Sequence, residues 1–298
     1  MKRDEKAFLD AYKRLNSGQK EAVDTIDGPV MVVAGPGTGK TQILSLRIAN
    51  ILRHTDTAPE NILALTFTES GVASMRKRLS GIIGSSAYSV VIKTFHGFAN
   101  DVIKDNPESF GRIIGSKNIT DVTQISLIEE IIIESKLELL KPFGDTLYYT
   151  KAILSAISDL KREGVTPEDF EELVLSAERD FEKISDLYHE KGAHKGKMKS
   201  QYGDLKKQIN KNKELLSVYK SYEEKLVKNK QYDYNDMIME VLKTLRSDSD
   251  LLLRLQENHQ YILVDEHQDT NNAQNKILEL LVNFHESPNI FVVGDEKQ

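Results

Sequence analysis

The chain has 298 residues, of which 39% are hydrophobic and 29% are charged, and its formal net charge is −6. This length and composition predict a soluble globular protein with one large or two ordinary domains. The absence of cysteine excludes structural disulfides, thiolate zinc sites and cysteine nucleophiles. No apolar run reaches membrane-spanning length and the amino terminus has no apolar signal segment, so we expect a cytoplasmic protein without a membrane partner.

Five short runs rich in valine and isoleucine predict the strands of one sheet. They are residues 30–34, 62–67, 90–94, 261–265 and 290–294. Because these runs are almost continuously apolar, we expect a parallel sheet whose strands are buried on both faces. Helical patterns follow the first three runs, over residues 41–53, 70–79 and 95–104. This alternation predicts an α/β fold with right-handed crossovers.

The pattern changes between residues 105 and 230. Strand-like runs are absent there, and apolar residues with a 3.6-residue period predict helices over residues 124–140, 147–163, 167–187 and 212–229. The stretch 190–203, rich in glycine, histidine and lysine, predicts a loop. Because the strand alternation then resumes, we expect an all-helical domain (105–230) inserted into one α/β domain (1–104 and 231–298).

A basic stretch lies inside this predicted insertion. Residues 189–230 contain twelve lysines against five acidic residues, on a chain that is acidic overall. Such a stretch is what a confined contact with nucleic acid requires. The solvated face of a long helix has the same composition, so composition alone leaves both interpretations open.

A glycine-rich segment, AGPGTGKT at residues 34–41, follows the first predicted strand. It matches the phosphate-binding loop pattern, in which glycines let backbone N–H groups turn toward phosphate oxygens. Lys40 would reach the β- and γ-phosphates of a nucleoside triphosphate, and the Thr41 hydroxyl would bind Mg²⁺. The other residues that we expect around the nucleotide phosphates are Ala34, Gly35, Pro36, Gly37, Thr38, Gly39 and Gln42.

A second segment, YILVDEHQDT at residues 261–270, ends an apolar run with two acids. Asp265 would hold Mg²⁺, and Glu266 would orient and activate the attacking water. The alternative is a capped strand end with two surface acids, which fits adjacent carboxylates at the end of a buried strand poorly unless a metal is nearby. The two segments together predict a P-loop NTPase.

Five further segments accompany these two: LNSGQKEAV (15–23), LTFTESGVASMRKRL (65–79), KTFHGF (93–98), YDYNDMIMEVL (232–242) and VVGDEKQ (292–298). In their order they resemble the motifs in the N-terminal part of UvrD/Rep-like (PcrA-type) superfamily 1 DNA helicases, and the resemblance covers essentially the whole chain. A generic P-loop ATPase has no reason to carry this set.

The resemblance implies ATP and Mg²⁺ as ligands, with Gln19 binding the adenine and Gln298 sensing the γ-phosphate. It also implies contacts to single-stranded DNA from six residues: Thr66, Phe67, Thr68, Thr94, Phe95 and His96. Phe95 would stack on a splayed base, whereas we expect Phe98 to pack its helix onto the sheet. Asp233 and Asp236 fit helix capping as well as a site role.

The sequence departs from the family pattern at three places. Glu69-Ser70-Gly71-Val72 stands where Asn-Lys-Ala-Ala is usual, and Gln42 stands where arginine is frequent. His267 replaces an aromatic residue in the acidic segment, where we expect it to keep the packing role without a catalytic one.

The family implies a molecule with two RecA-like domains, of which this chain would be the first, with its inserted helical DNA-contacting domain. Its activity would be 3′→5′ translocation on single-stranded DNA and unwinding at junctions of single and double strands, in repair or replication. Because the second domain supplies transition-state arginines, we expect the chain alone to hydrolyse ATP barely, if at all. Three alternatives stay open: part of an AddA/RecB-like helicase–nuclease, a P-loop ATPase module without unwinding activity, and an interaction protein with a degenerate site.

Overall fold

A computed structural model describes residues 2–35, 37–191, 196–284 and 286–295, with side chains from residue 5 onward. The chain divides into two compact units, the first comprising Met1–Phe110 with Met237–Gln298 and the second Gly111–Asp236. These divisions fall six residues after each of the boundaries expected from the sequence. Among the helices that the model describes, none combines the length and apolar character needed to cross a membrane.

The secondary structure comprises strands and helices in both units. The strands are β1 (Val30–Val33), β2 (Ile62–Thr66), β3 (Val91–Thr94), β4 (Lys117–Asn118), β5 (Gln231–Tyr232), β6 (Tyr261–Val264) and β7 (Ile290–Gly294). The α-helices are α1 (Lys2–Tyr12), α2 (Ser17–Asp24), α3 (Lys40–His54), α4 (Glu69–Ile83), α5 (Phe95–Asp105), α6 (Asp121–Glu134), α7 (Thr150–Arg162), α8 (Pro167–Glu182), α9 (Gly203–Lys228), α10 (Tyr234–Ser247), α11 (Ser249–Asn258) and α12 (Asn272–Val282).

The first unit is built on a five-stranded parallel sheet with the strand order β1-β7-β6-β2-β3. All five predicted strands are present, and no strand end differs from its prediction by more than one residue. The register aligns Val33 with Gly294 and Thr66 with Thr94. Since the strands are parallel, their carboxyl ends meet at one edge of the sheet, which is where open α/β sheets bind ligands.

Burial differs between the central and outer strands of this sheet. The central strands β2 and β6 are buried along their whole length, as their continuous apolar runs predict. The same expectation is wrong for β1, in which Met31 is 70% and Val33 is 60% exposed. The reason is position: β1 is an edge strand, and the apolar cluster formed with α1 to α4 covers only the face that carries Val30 and Val32.

The helices after β2 and β3 begin at hydroxyl side chains placed at the strand ends. Thr68 Oγ1 accepts the N–H of Gly71 at the start of α4, and Thr94 Oγ1 accepts the N–H of Gly97 at the start of α5, both at 3.0 Å. Threonine is favoured at this capping position because its oxygen satisfies a backbone N–H that has no partner within the helix. The helices therefore start immediately at the carboxyl edge of the sheet.

In the residues that the structure describes, the second unit is helical apart from a two-residue parallel pairing of β4 with β5 and one antiparallel bridge between Tyr188 and Met198. Leu127 and Ile131 of α6 pack with Ile153 of α7 and with Val218 and Tyr222 of α9 in its apolar core. The short β4 strand lies in the region predicted to be free of strands, because a two-residue strand leaves no recognisable pattern in the sequence. The mixed α/β fold with an inserted helical region is confirmed.

Helix α6 ends at Glu134, six residues before its predicted end at residue 140. The backbone N–H groups of Glu138, Leu139 and Leu140 donate to the carboxylate of Glu214 at 2.8–3.1 Å. In a continued helix, these N–H groups would donate to carbonyl groups of the preceding turn. They donate instead to a carboxylate that lies 74 to 76 residues away in the sequence, and the helix does not continue through them. Helix α9 in turn begins at Gly203, nine residues before the predicted start. Of the predicted loop 190–203, residues 192–195 lie outside the described residues.

Lys161, near the end of α7, is 2% exposed and surrounded by three carboxylates. Its Nζ lies 2.6 Å from Asp233 Oδ2, 2.7 Å from Asp236 Oδ1 and 2.6 Å from Glu223 Oε1. Burial alone would lower the pKa of Lys161, but the three carboxylates raise that pKa well above its ordinary value. Asp233 and Asp236 also accept each other's backbone N–H groups, which is the capping role that the sequence allows for them.

Candidate nucleotide-binding site

The glycine-rich loop connects β1 to α3, whose first residues are Lys40 and Thr41. Gly37 and Gly39 have φ values of 75° and 87°, in the left-handed region that glycine adopts without strain. Thr38 Oγ1 donates to the carbonyl of Gly35 at 2.7 Å, which closes the loop on itself. The loop thereby leads into the amino end of α3, whose unpaired N–H groups favour an anion.

The remaining residues expected in the loop are placed as follows. Ala34 donates its N–H to the carbonyl of Gly294 at 2.9 Å, which extends the β1–β7 ladder into the loop. Gln42 donates its N–H to the carbonyl of Gly39 at 2.8 Å in the first turn of α3. Pro36 lies outside the described residues.

Two acids at the end of β6 lie against the first two residues of α3. Thr41 Oγ1 donates to Asp265 Oδ2 at 3.1 Å, and Lys40 Nζ lies 2.8 Å from Glu266 Oε2. The structure thus brings together the two segments, more than 200 residues apart, that the sequence singles out. Their meeting follows from the parallel sheet, because β1 and β6 both end at the same edge.

The two neighbouring carboxylates differ in their pKa values. Burial raises the pKa of Asp265 above its ordinary value, and the charge of Glu266 raises it further, despite the hydrogen bond from Thr41. Burial also acts to raise the pKa of Glu266, but hydrogen bonds from Gln268 and Lys40 outweigh it, so that this pKa is lower than usual. Glu266 is therefore held in the ionised form that a general base requires.

Thr41 and Asp265 together fit a magnesium ion. They offer one hydroxyl and one carboxylate oxygen, 3.1 Å apart, which are hard oxygen ligands of the kind that Mg²⁺ prefers. Mg²⁺ keeps waters and takes phosphate oxygens as its other ligands, so two protein ligands are sufficient. Within the residues that the structure describes, no group of three or more histidine, cysteine, aspartate or glutamate side chains offers another metal site.

Gln268 connects Glu266 to the end of β7. Its Nε2 donates to Glu266 Oε2 at 2.9 Å, and its Oε1 accepts the backbone N–H of Asp295 at 2.9 Å. Because a backbone N–H can only donate, the contact with Asp295 sets the orientation of the amide and directs its NH₂ group toward Glu266. No role of Gln268 is predicted from the sequence, although its place in the same tight turn as Glu266 is a signal that could have revealed it.

The backbone at Glu266 is itself unusual. Its φ of 50° lies in the left-handed region, which is costly for a residue with a Cβ and persists only where the surroundings enforce it. Gln298, the expected γ-phosphate sensor beyond β7, lies outside the described residues.

Gln19, expected to bind the base, lies next to the phosphate loop. Its Nε2 donates to the carbonyl of Thr38 at 2.9 Å, and its Oε1 accepts the N–H of Asn16 at 3.0 Å, within the capping box of α2. A cavity of about 770 Å³ includes Asn16, Gln19, Gly35 and Thr38 in its lining. This volume lies in the usual range of small-ligand sites.

The residues expected to contact DNA lie at the carboxyl ends of β2 and β3, but only some are accessible. Phe67 is 53% exposed and Thr68 is also exposed, whereas Thr66 and Thr94 are buried and His96 is half-buried. These positions come together because β2 pairs with β3.

Phe95 is 3% exposed, like its buried neighbour Phe98, so the expected stacking of Phe95 on a base is not available in this conformation. The accessible aromatic ring at this edge is that of Phe67. The hydroxyl of Thr94 is also occupied, because it donates to Glu69 Oε1 at 3.0 Å. Glu69 stands where asparagine is usual in the family pattern. In this chain, the side chain at that position accepts an internal hydrogen bond from Thr94.

The basic stretch 189–230 is partly paired with acids from outside it. Five of its twelve lysines form ion pairs with carboxylates that precede the stretch: Lys199 with Asp186, Lys206 and Lys213 with Glu178, Lys220 with Glu171, and Lys225 with Glu130 and Glu134. Residues 111–236 as a whole contain 21 Lys and Arg against 23 Asp and Glu. The structure therefore favours a solvated, ion-paired helix face over a continuous basic surface.

Comparison with known proteins assigns the family. The profile of the UvrD/REP helicase N-terminal domain matches residues 15–298. The chain is 30% identical over 286 residues to the ATP-dependent DNA helicase PcrA of Staphylococcus epidermidis, covering 96% of this chain and 34% of that protein. It is 32% identical over 284 residues to PcrA of Bacillus subtilis, covering 95% of this chain and 33% of that protein. The chain thus spans about one third of the length of these relatives. It belongs to the UvrD/REP helicase N-terminal domain family.

Proposed function

We propose that this chain is the ATP-binding part of a DNA helicase that hydrolyses ATP to move 3′→5′ along single-stranded DNA and to unwind duplex at strand junctions. The observation that carries the proposal is the contact of Lys40 with Glu266 and of Thr41 with Asp265, at 2.8 Å and 3.1 Å. The relatives named above are ATP-dependent DNA helicases, which supports the same activity.

In the proposed reaction, a water molecule attacks the γ-phosphate in line with the leaving oxygen. Glu266 accepts a proton from that water, and its lowered pKa keeps it ionised for this task. Lys40 neutralises charge on the β- and γ-phosphates, and the loop after β1 presents backbone N–H groups to them. Mg²⁺, held by Thr41 and Asp265, supplies further charge neutralisation when bound. Gln298 would report the state of the γ-phosphate.

We propose a separate function for each of the two parts of the chain. Residues 1–104 and 231–298 would form a RecA-like ATP-binding domain, and residues 105–230 a helical domain that contacts DNA. A second RecA-like domain, outside this chain, would complete the site with arginines worth about 10³–10⁵ in rate. We therefore expect the 298-residue chain alone to bind Mg-ATP weakly and to hydrolyse it barely.

The test is steady-state ATP hydrolysis by the longest natural chain that contains these residues, with and without single-stranded DNA. Strong stimulation by DNA that is lost in Glu266→Gln is the expected result. Hydrolysis that is indifferent to DNA would overturn the helicase proposal and favour a P-loop ATPase without unwinding activity.

A further inference from the structure

The segment between α6 and α7 exposes aromatic side chains. Phe143 is fully exposed and Tyr148 is 68% exposed, and the ring of Tyr148 meets that of Tyr149 edge-on at 4.9 Å between centroids. We call residues 141–149 the aromatic loop. Single exposed apolar side chains are common, but a group of aromatic rings on one short loop is not explained by folding and points to a ligand.

The backbone of this segment is held in place from both sides. Just before the loop, the carboxylate of Glu214 on α9 accepts three consecutive backbone N–H groups, from residues 138, 139 and 140. Lys141 Nζ donates to the carbonyls of Ile133 and Ser135 at 2.8 and 3.2 Å. At the far end, Asp145 accepts the N–H of Leu147 at 3.2 Å in a local turn. The rings are therefore displayed by an ordered backbone, which lowers the entropy cost of binding.

Two lysines lie beside the loop without a carboxylate paired to them in the described part of the chain. Lys211 Nζ lies 5.2 Å from the centroid of the Tyr149 ring, and in the described part of the chain no carboxylate pairs with it. Lys151, just after the loop, is exposed and likewise has no carboxylate partner among the described residues. Four other lysines of α9 are paired with acids, namely Lys206, Lys213, Lys220 and Lys225. The aromatic loop is thus flanked by cations that are available to an anion.

Exposed ring faces next to uncompensated lysines match one ligand chemistry, that of single-stranded nucleic acid. Its bases stack on aromatic rings and its phosphates attract ammonium groups. Duplex DNA fits less well, because its base faces are already stacked within the helix. We propose that the aromatic loop, together with Lys211, binds the bases and backbone of single-stranded DNA; this inference rests on the proposed helicase function.

The chain contains no tryptophan, so Phe143→Trp creates a single fluorescent reporter at the proposed contact. The 298-residue variant would be titrated with oligothymidylate and with an abasic oligonucleotide of equal length. Stacking predicts quenching of the tryptophan by oligothymidylate and little change with the abasic strand. The matched control is Tyr88→Trp, an exposed aromatic position of the first unit, which should respond to neither. Equal responses of Phe143→Trp to both strands would overturn base stacking.

Affinity measured by anisotropy of a labelled oligothymidylate separates this proposal from the proposed function. Phe143→Ala and Tyr148→Ala should each weaken binding about fivefold or more, because stacking on a ring contributes at least that factor per base. Phe143→Trp should retain wild-type affinity, and Tyr88→Ala should not change it. Binding by the wild-type chain that Phe143→Ala leaves intact would overturn the aromatic loop alone. Absence of wild-type binding would also overturn the aromatic loop as a DNA site, whereas the helicase proposal is tested separately by DNA-stimulated hydrolysis of the longer natural chain.

Discussion

Lys40 Nζ lies 2.8 Å from Glu266 Oε2. The cation expected to meet the phosphates is therefore paired with the carboxylate expected to activate water. If Lys40 meets the phosphates as proposed, an entering nucleotide would draw it away from Glu266, and the same movement would free the carboxylate to accept a hydrogen bond from water. Nucleotide binding and preparation of the base would then be linked through one ion pair.

Replacing Glu266 by glutamine should strengthen ATP binding while it weakens hydrolysis. A partly exposed ion pair contributes about 0–1 kcal/mol, so releasing Lys40 should lower the Kd for ATP by up to about fivefold. Loss of the general base should reduce kcat by about 10²-fold or more. Equilibrium titration with a fluorescent ATP analogue and steady-state hydrolysis, both with the longest natural chain that contains these residues, measure the two effects. Glu60→Gln, at an exposed glutamate of the same unit, is the control, and unchanged or weaker ATP binding by Glu266→Gln would contradict the linkage.

Removing the amide of Gln268 should shift the pH dependence of hydrolysis. The hydrogen bond from Gln268 lowers the pKa of Glu266, so Gln268→Ala should raise that pKa. The acidic limb of the kcat profile should then move to higher pH, since the base is protonated earlier as the pH falls. Gln268→Glu places a second carboxylate beside Glu266 and should move the limb further in the same direction. Profiles that superimpose on the wild type would show that Gln268 does not act through Glu266.

The strands and the meeting of the two nucleotide-binding segments could be predicted from the sequence, because both depend on local patterns. Buried strands appear as continuous apolar runs, and parallel strands bring their carboxyl ends to one edge. The direct ion pair between Lys40 and Glu266 was not predictable, because it depends on side-chain conformations. The burial of Phe95 was not predictable either, because the motif does not show which face of α5 packs against the rest of the unit.

Long-range contacts account for the other differences. Helix α6 ends early because Glu214, far along the chain, takes the N–H groups that would have continued it. Composition left the basic stretch open between a nucleic-acid contact and a solvated helix face, because the sequence does not show which acids of neighbouring helices, such as Glu178 of α8, lie beside its lysines. The ion pairs of Lys161 could not be predicted, because its three carboxylate partners lie 62 to 75 residues away in the sequence.

Lys161 should be essential for the stability of the second unit. Lys161→Met leaves Asp233 and Asp236 buried, and Glu223 beside them, with Arg112 as the remaining cation near Glu223 and Asp236, and this should destabilise the unit by about 3–5 kcal/mol. Because the pKa of Lys161 is raised, its contribution is fully present at neutral pH and is lost only as the pH rises through that pKa. Chemical denaturation followed by circular dichroism measures the change.

The matched control is Lys183→Met, which breaks an exposed pair with Asp180 and should cost less than about 1 kcal/mol. Adding Asp236→Asn to Lys161→Met should restore part of the loss, because it removes one of the three carboxylate charges that Arg112 alone would then have to balance. Equal denaturation midpoints for Lys161→Met and the wild type would refute the role given to this cluster.

The ion-paired lysines of α9 should contribute little to DNA binding. Lys213→Gln and Lys225→Gln remove charges already matched by Glu178 and by Glu130 with Glu134. We expect affinity for single-stranded DNA, and the slope of log K against log salt, to stay near the wild-type values. Anisotropy titrations over a range of NaCl concentrations provide the slope. A decrease of roughly 0.7 in its magnitude per substitution would instead show that each lysine contacts a phosphate.

The left-handed backbone of Glu266 has a consequence for how this site can vary. A residue with a Cβ at a φ of 50° is held at a cost of order 1–3 kcal/mol, which glycine would avoid. Glu266→Gly would relieve this backbone cost, and if Glu266 is the general base as proposed, the same change would remove hydrolysis. Stability and turnover would then compete at a single position of the backbone.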